Sequence, residues 1–381
     1  MPLTDSIFLQ YPLGINRRNF IIREINSIFS LGLAKDKARF KQLIEEHGIA
    51  VPRTFHEIRD FSAFDPAGFF PDEFVLKPNQ GMGGNGILIL KREEDSFITP
   101  SGEKYSADHL RSHIRKVLDG EFSGYMEKDT ALIEERIYSS ARLQFKDALG
   151  LPDIRVFCYE FEPVMGMFRY ATAESRGRAN LSQGAIGMGI DLTGGTITHI
   201  HAKNEKKPLT AEEFGIPPSF TIPKWEEIKA IARKAARLSQ LQIAGVDVIL
   251  DARDTVMVLE INGHPGLEIQ NVNERSLWQS MSLVAERLDR VERRRFSGRV
   301  EAEEDPYPAG EDEGDGNRLQ RDQGRPLQEF GDGRRSPHSE HNADDSTARG
   351  EKDRLGQELK EDVALLGAYR HADADLPGPL R

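Results

Sequence analysis

The sequence predicts an α+β fold of two lobes, and three observations carry that prediction. Short strand candidates come in neighbouring pairs, and helical patterns stand apart from them instead of alternating strand by strand. One pair encloses a glycine-rich loop. Another, far downstream, carries carboxylates within its strands.

Taken in chain order, the start "SIFLQYPLGINRRNF" is short and lacks a βαβ pattern. The first clear helix is "AKDKARFKQLIEEHG", with Ala38, Phe40, Leu43 and Ile44 on one side and Gly48 as its stop. "AVPRTF" then leads into a new segment. Strands are expected at 74–77, 86–90, 131–135, 154–160, 164–171, 246–250 and 255–261. Helices are expected over 106–120, 224–241 and 273–295. No internal repeat is visible.

The chain has 381 residues, enough for two or three domains. Its net charge of −11 is localised: residues 301–381 hold 21 acidic and 11 basic residues, leaving 41 and 40 for the rest. The segment 297–381 is thus an acidic tail, poor in apolar residues, that cannot offset its ordering entropy and is expected to be disordered. Within it, "KEDVALLGAYRH" could form a short helix. The nearly neutral remainder gives no electrostatic case for nucleic acid. The basic stretches "NRRNF" and "RVERRRF" read as helix ends favoured by the macrodipole. Cys158, the single cysteine, lies in an alternating apolar strand and reads as a small buried hydrophobe. Neither a signal peptide nor a membrane-spanning run is evident, so a reducing cytoplasm is the expected location.

The stretch "FVLKPNQGMGGNGILIL" runs from strand to strand through four glycines. It is not a P-loop, because no Lys-Ser or Lys-Thr follows, and not a dinucleotide fingerprint, because "ILIL" is a strand where a helix would be needed. It reads as a hairpin with a glycine flap. Bare backbone at Gly81, Gly83 and Gly84 can approach phosphate, and Lys77 at the strand end can reach one as a point charge.

"AGVDVILDARDTVMVLEINGHPGLE" reads as a second hairpin folded about residues 253–254. Glu260 and Asn262 share a face by alternation, and folding brings Asp247 near Glu260. Three oxygen ligands at one strand end suit Mg²⁺, with Mn²⁺ an acceptable substitute, when phosphate oxygens complete the shell.

With both motifs in this order, residues 10–290 resemble the ATP-grasp superfamily, in particular proteins related to the α-L-glutamate ligases that modify ribosomal proteins. The resemblance implies a domain over 36–296, preceded by a short segment 1–35, with nucleotide bound between two lobes. It implies that Lys37 of "AKDK" and Lys77 touch nucleotide phosphates, and that Glu134, Glu135, Arg136 and Ile137 of "ALIEERI" hold adenine. Asp153 would approach the ribose and Arg155 the phosphates or acyl phosphate, from "LPDIRVF". Arg178 and Asn180 of "ESRGRANLSQGA" would lie beside the triphosphate, and Asp247, Glu260 and Asn262 would hold metal. The implied activity is ATP-dependent ligation of an amino-acid donor, glutamate foremost, to the amine of a peptide, protein or small molecule through an acyl phosphate. The alternatives are a phosphotransferase on the same scaffold and a nucleotide-binding scaffold without turnover. Three departures bear on substrate recognition: few residues precede Lys37 where related ligases carry a full α/β domain, the connection "YSSARLQFKDALGL" is long, and the acidic tail has no counterpart.

Overall fold

Two six-stranded antiparallel sheets organise the part of the chain that the structure, a computed structural model, describes: residues 11–288 apart from 62–69, 82, 124–127, 147–148, 176, 203–209 and 218. The acidic tail and the end of the expected last helix lie outside the described residues.

The first sheet is built from β1 (Thr54–Ile58), β2 (Glu73–Pro78), β3 (Leu88–Glu93), β4 (Ser96–Ile98), β5 (Lys104–Ser106) and β6 (Ala131–Glu135) in the order β1-β6-β2-β3-β4-β5. Helix α4 (Ala107–Leu118) covers one face, and Leu110, Ile114 and Val117 pack there with Phe74, Leu76, Leu90 and Phe97. The helix begins at Ser106, whose side chain accepts from the amide of His109. Strands β2 and β3 pair directly, so the glycine loop is a hairpin flap, as its flanking strands require.

The second sheet contains β7 (Asp153–Tyr159), β8 (Glu162–Tyr170), β9 (Ile186–Ile190), β10 (Ile197–Ala202), β11 (Ile243–Leu250) and β12 (Val256–Asn262), ordered β10-β9-β8-β7-β11-β12. Strand alternation divides its side chains sharply. Ile154, Val156, Phe168, Val246 and Val248 pack beneath α5 (Trp225–Ser239) and α3 (Lys37–Glu46). On the opposite face Phe157, Tyr159, Met165, Met167 and Ile243 form a second core with α1 (Ile15–Ile25), α6 (Glu268–Val272) and α7, residues 277–288. That second face is apolar at one end only. Towards the other end of these strands it becomes charged, with Asp153, Arg155, Arg169 and Asp247, and the site stands there.

Three features differ from the sequence expectation. The segment ahead of α3 folds into α1 and α2 (Ile28–Lys35), and the Asn26 amide between them pairs with both backbone groups of Ile243. The helix expected from 273 starts at 277, because the Asn273 side chain turns inward to bond Gly166 O and Ile190 N. Strands β1, β4, β5, β9 and β10 add to the expected set; β9 is interrupted by Gly187 and Gly189. Among the described residues no helix is long and apolar enough to cross a membrane.

Candidate active site

The flap is held from both sides. Lys37 follows Asp36, the N-cap of α3, and its Nζ donates to Asn79 O (3.2 Å) and Gly81 O (2.7 Å). The Asn79 side chain bonds Ala38 N and Asp36, which fixes the loop root to the start of α3. Gly83 and Gly84 have φ of +65° and +78°, the left-handed region that a β-branched residue avoids. Across from them, Gly83 O accepts from Gln183 Nε2 (2.9 Å) and Asn180 Nδ2 (3.4 Å). Arg178 lies along the flap, its Cδ 3.5 Å from the place of a Cβ at Gly84.

Beneath the flap root, Lys77 of β2 and Glu134 of β6 are diagonal neighbours on one sheet face, since Glu134 pairs with Val75. Lys41, one helical turn after Lys37, reaches the same carboxylate. Its Nζ is 2.6 Å from Glu134 Oε2 and that of Lys77 is 2.7 Å away, all three side chains being buried or nearly so. Glu134 Oε1 is buried with no partner. Burial, reinforced by the neighbouring Lys77 charge and opposed by Glu134, pushes the Lys41 amine down to about 7. Burial also acts against Lys77, but Glu134 outweighs it and holds that amine above its ordinary range. In Glu134 burial is outweighed by Lys77 and Lys41, and its carboxyl lies below the usual range.

At the charged end of the second sheet, Arg155 grips Asp247 through Nε–Oδ1 (2.7 Å) and Nη2–Oδ2 (2.6 Å). Arg169 of β8 reaches Asp247 Oδ2 at 2.8 Å and grips Asp153 through two bonds of 2.5 and 2.7 Å. Burial alone would raise Asp247, but Arg155 and then Arg169 hold it well below the usual carboxylate range. Asp153 is pushed up to about 6, by burial and by Asp247 against the pull of Arg169. Asp247 pairs with Glu260 in the ladder, and Asn262 Nδ2 donates to Asp247 Oδ2 (3.2 Å) and Glu260 Oε1 (3.3 Å). Lys37 Nζ is 3.8 Å from Glu260 Oε2, so one lysine links flap and carboxylate hairpin.

The structure therefore gathers Lys37, Lys77, Gly81, Gly83, Gly84, Glu134, Arg178 and Asn180 around the flap, and Arg155, Asp247, Glu260 and Asn262 around the second hairpin. Other expected residues stand differently. Glu135 is exposed and accepts from Arg53 N, while Arg136 stacks on Tyr138 (4.7 Å), leaving the backbone there and at Ile137 as the groups on offer. Asp153 is 5% exposed with both oxygens committed to Arg169, so its surroundings suit an arginine anchor better than a ribose contact. Sequence reasoning missed Lys41, Arg169 and Gln183. Two had signals: Lys41 repeats Lys37 at i+4, and Arg169 is a lone charge inside an apolar strand.

Fit to a divalent cation is partial. Among the described residues no cluster of three His, Cys, Asp or Glu side chains could hold a metal. Glu260 is one-third exposed at its side chain, and the Asn262 amide turns its nitrogen to the carboxylates, which leaves its oxygen unspent. These two donors suit an ion that arrives with phosphate oxygens; Asp247 joins only by releasing an arginine.

A glycine hairpin rooted on paired lysines, facing a carboxylate hairpin across two antiparallel lobes, defines an ATP-grasp protein. More particularly, the chain belongs to the sugar-transfer associated ATP-grasp family, whose profile matches residues 16–286. Among curated proteins it is similar to a "probable alpha-L-glutamate ligase" of Mannheimia succiniciproducens, 25% identical over 245 residues, covering 64% of this chain and 60% of that one. A namesake of Aeromonas salmonicida is 25% identical over 249 residues, covering 64% and 61%. The chain thus spans about 60% of the length of these relatives. Among solved structures, D-alanine–D-alanine ligase from Bacillus anthracis complexed with ATP is 17% identical, with 71% and 70% covered and a TM-score of 0.40. The ATP-grasp ligase PsnB complexed with a minimal precursor is 14% identical, with 68% and 62% covered and a TM-score of 0.38.

Proposed function

We propose that the chain is an ATP- and Mg²⁺-dependent carboxylate–amine ligase that joins an amino acid to an amine through an acyl phosphate. The observation that carries the nucleotide part is the Lys41–Glu134–Lys77 cluster. Two ammonium groups share one carboxylate oxygen, so when both are protonated the buried group has one positive charge in excess. Its other oxygen lacks a donor. A ligand complementary to that pair of defects brings an anion and an N–H together, as a purine amine tethered to phosphates does.

In this reading Lys77 and Lys37 take phosphate oxygens, and the backbone of Gly81, Gly83 and Gly84 closes over them. Glu134 Oε1 accepts from the base, beside backbone groups of Glu135, Arg136 and Ile137. Arg178 and Asn180 face the triphosphate from the opposite side of the flap. Arg155, anchored on Asp247, presents its remaining N–H groups to the carboxylate being phosphorylated, while Arg169, fixed by Asp153, keeps Asp247 in place. Glu260 and Asn262 would hold Mg²⁺, which supplies charge neutralisation between phosphates. The closed flap excludes water from the acyl phosphate. The name shared by the curated relatives supports glutamate as the first donor to try.

The test is ADP release in the presence of ATP and Mg²⁺, screened over amino acids and over amines that include peptides and, because the family is associated with sugar transfer, amino sugars. Mass spectrometry of products separates outcomes: an amide with free phosphate supports the ligase, a stable phosphorylated product supports a phosphotransferase, and no stimulation by any pair counts against both.

A further inference from the structure

Gln183 closes a three-residue turn, Leu181–Gln183, that Asn180 caps with its own side-chain oxygen. Its amide bridges two groups that the ligase reading assigns to phosphate. Nε2 donates to Gly83 O at 2.9 Å, and Oε1 accepts from Arg178 Nη1 at 3.3 Å. A carbonyl needs a donor and a guanidinium needs an acceptor, so only one orientation of the amide satisfies both. Arg178 in turn lies along the backbone at Gly84. Flap, amide and arginine form one connected unit.

We propose that Gln183 is a positioning residue that couples flap closure to the placement of Arg178, so that the two reach the phosphates together. This rests on the ligase reading for its catalytic consequence but not for the clasp itself. Glutamine suits the role for a specific reason. A carboxylate in its place would still accept from Arg178 but would meet Gly83 O with no donor, and a thioether of the same length would serve neither partner.

Two variants test this, Gln183→Met and Gln183→Glu, each read in two ways. The first readout is hydrogen–deuterium exchange of the peptide covering residues 79–87 in the nucleotide-free protein. Both variants are expected to exchange several-fold faster there than wild type, with the rest of the chain unchanged. The second is the ratio of amide formed to ADP released, with KM for ATP. Gln183→Met is expected to lower the ratio several-fold because water reaches the acyl phosphate, a change that a loss of general stability would not produce. Gln183→Glu keeps Arg178 engaged and should fall between. Wild-type exchange over 79–87 in both variants overturns the clasp. Faster exchange with an unchanged ratio overturns the coupling. If wild type itself forms no amide with any donor and acceptor, the ligase reading fails, and the exchange measurement still decides the clasp. Should Gln183→Met fail to fold, the Glu variant carries both readouts.

Discussion

Asp247 and Glu260 face each other across the β11–β12 ladder, yet only Glu260 keeps its carboxylate clear of arginine. On the ligase reading, two residues that look alike in the sequence therefore take separable roles. Glu260→Gln is expected to lower turnover on the order of a thousandfold, because a lost charged contact to the metal costs several kcal/mol in the transition state. Its melting temperature should stay close to wild type, as the side chain is one-third exposed. Near-normal turnover at saturating ATP and Mg²⁺ would remove Glu260 from the metal site.

Asp247→Asn should behave in the opposite sense on stability. It leaves Arg155 with half its partner and removes one of the two carboxylates that Arg169 meets, a loss of about 3–5 kcal/mol by analogy with other broken buried pairs. A thermal melt checks this, and an unchanged midpoint would contradict the anchoring role.

Lys41 makes stability depend on pH in a defined direction. Its amine is depressed to about 7 in the fold, against an ordinary value of 10.5 in the unfolded chain. Between those values the unfolded state binds more protons, so stability rises with pH, is full above the upper value, and is lost as pH falls through about 7. Lys41→Met removes the titration. Relative to wild type the variant should be most favoured at or below neutral pH, and the advantage should shrink towards pH 10. Denaturant melts across that range test the sign. Its ATP affinity should fall, since Glu134 is then left to Lys77 alone.

Valine at Gly83 and Gly84 together places β-branched residues at positive φ and pushes a Cβ towards Arg178. ATP affinity should weaken by about thirtyfold or more, from the roughly 1–2 kcal/mol per residue that left-handed backbone costs at each of the two positions. Amide yield per ADP should fall with it. Titration calorimetry and product stoichiometry are the checks; wild-type values for both would make the loop an ordinary hairpin.

Truncation after Phe296 should leave an ATP-binding protein with little change in melting temperature, because the removed segment is too rich in charge to contribute a core. A large fall would show that the acidic tail belongs to the fold.

Much of this site could be read from spacing. Asp247 opposite Glu260 followed from folding a hairpin about its turn, and Lys77 beneath a flap followed from a strand that ends in lysine before glycines. What spacing could not give was which partner each charge would find. Asp153 and Arg155 are two apart on one strand, but Arg169 claims the first and Asp247 the second, and Asp247 comes from β11, a strand distant in sequence whose pairing with β7 no local pattern sets. Helices α1 and α2 were missed for a related reason. Their stability comes from tertiary bonds such as those of Asn26 to Ile243, and several of their apolar side chains, Ile28 and Phe29 among them, face outward. Gln183 left no trace at all, since a glutamine beside a glycine is an unremarked surface pair until the flap meets it.

The cations of this site have protein partners already: Lys37 has Gly81 O, Lys77 has Glu134, Arg155 has Asp247 and Arg178 has Gln183. A ligand therefore enters by exchange, taking over donors that are released from existing bonds. On the ligase reading such a site is expected to be selective against simple anions. Sulfate or free phosphate can offer charge, but neither returns an N–H to Glu134 nor a counter-ion to Glu260, so displacing the resident partners leaves them with a net loss. Only a molecule that carries phosphate, base and cation together can make every exchange at once.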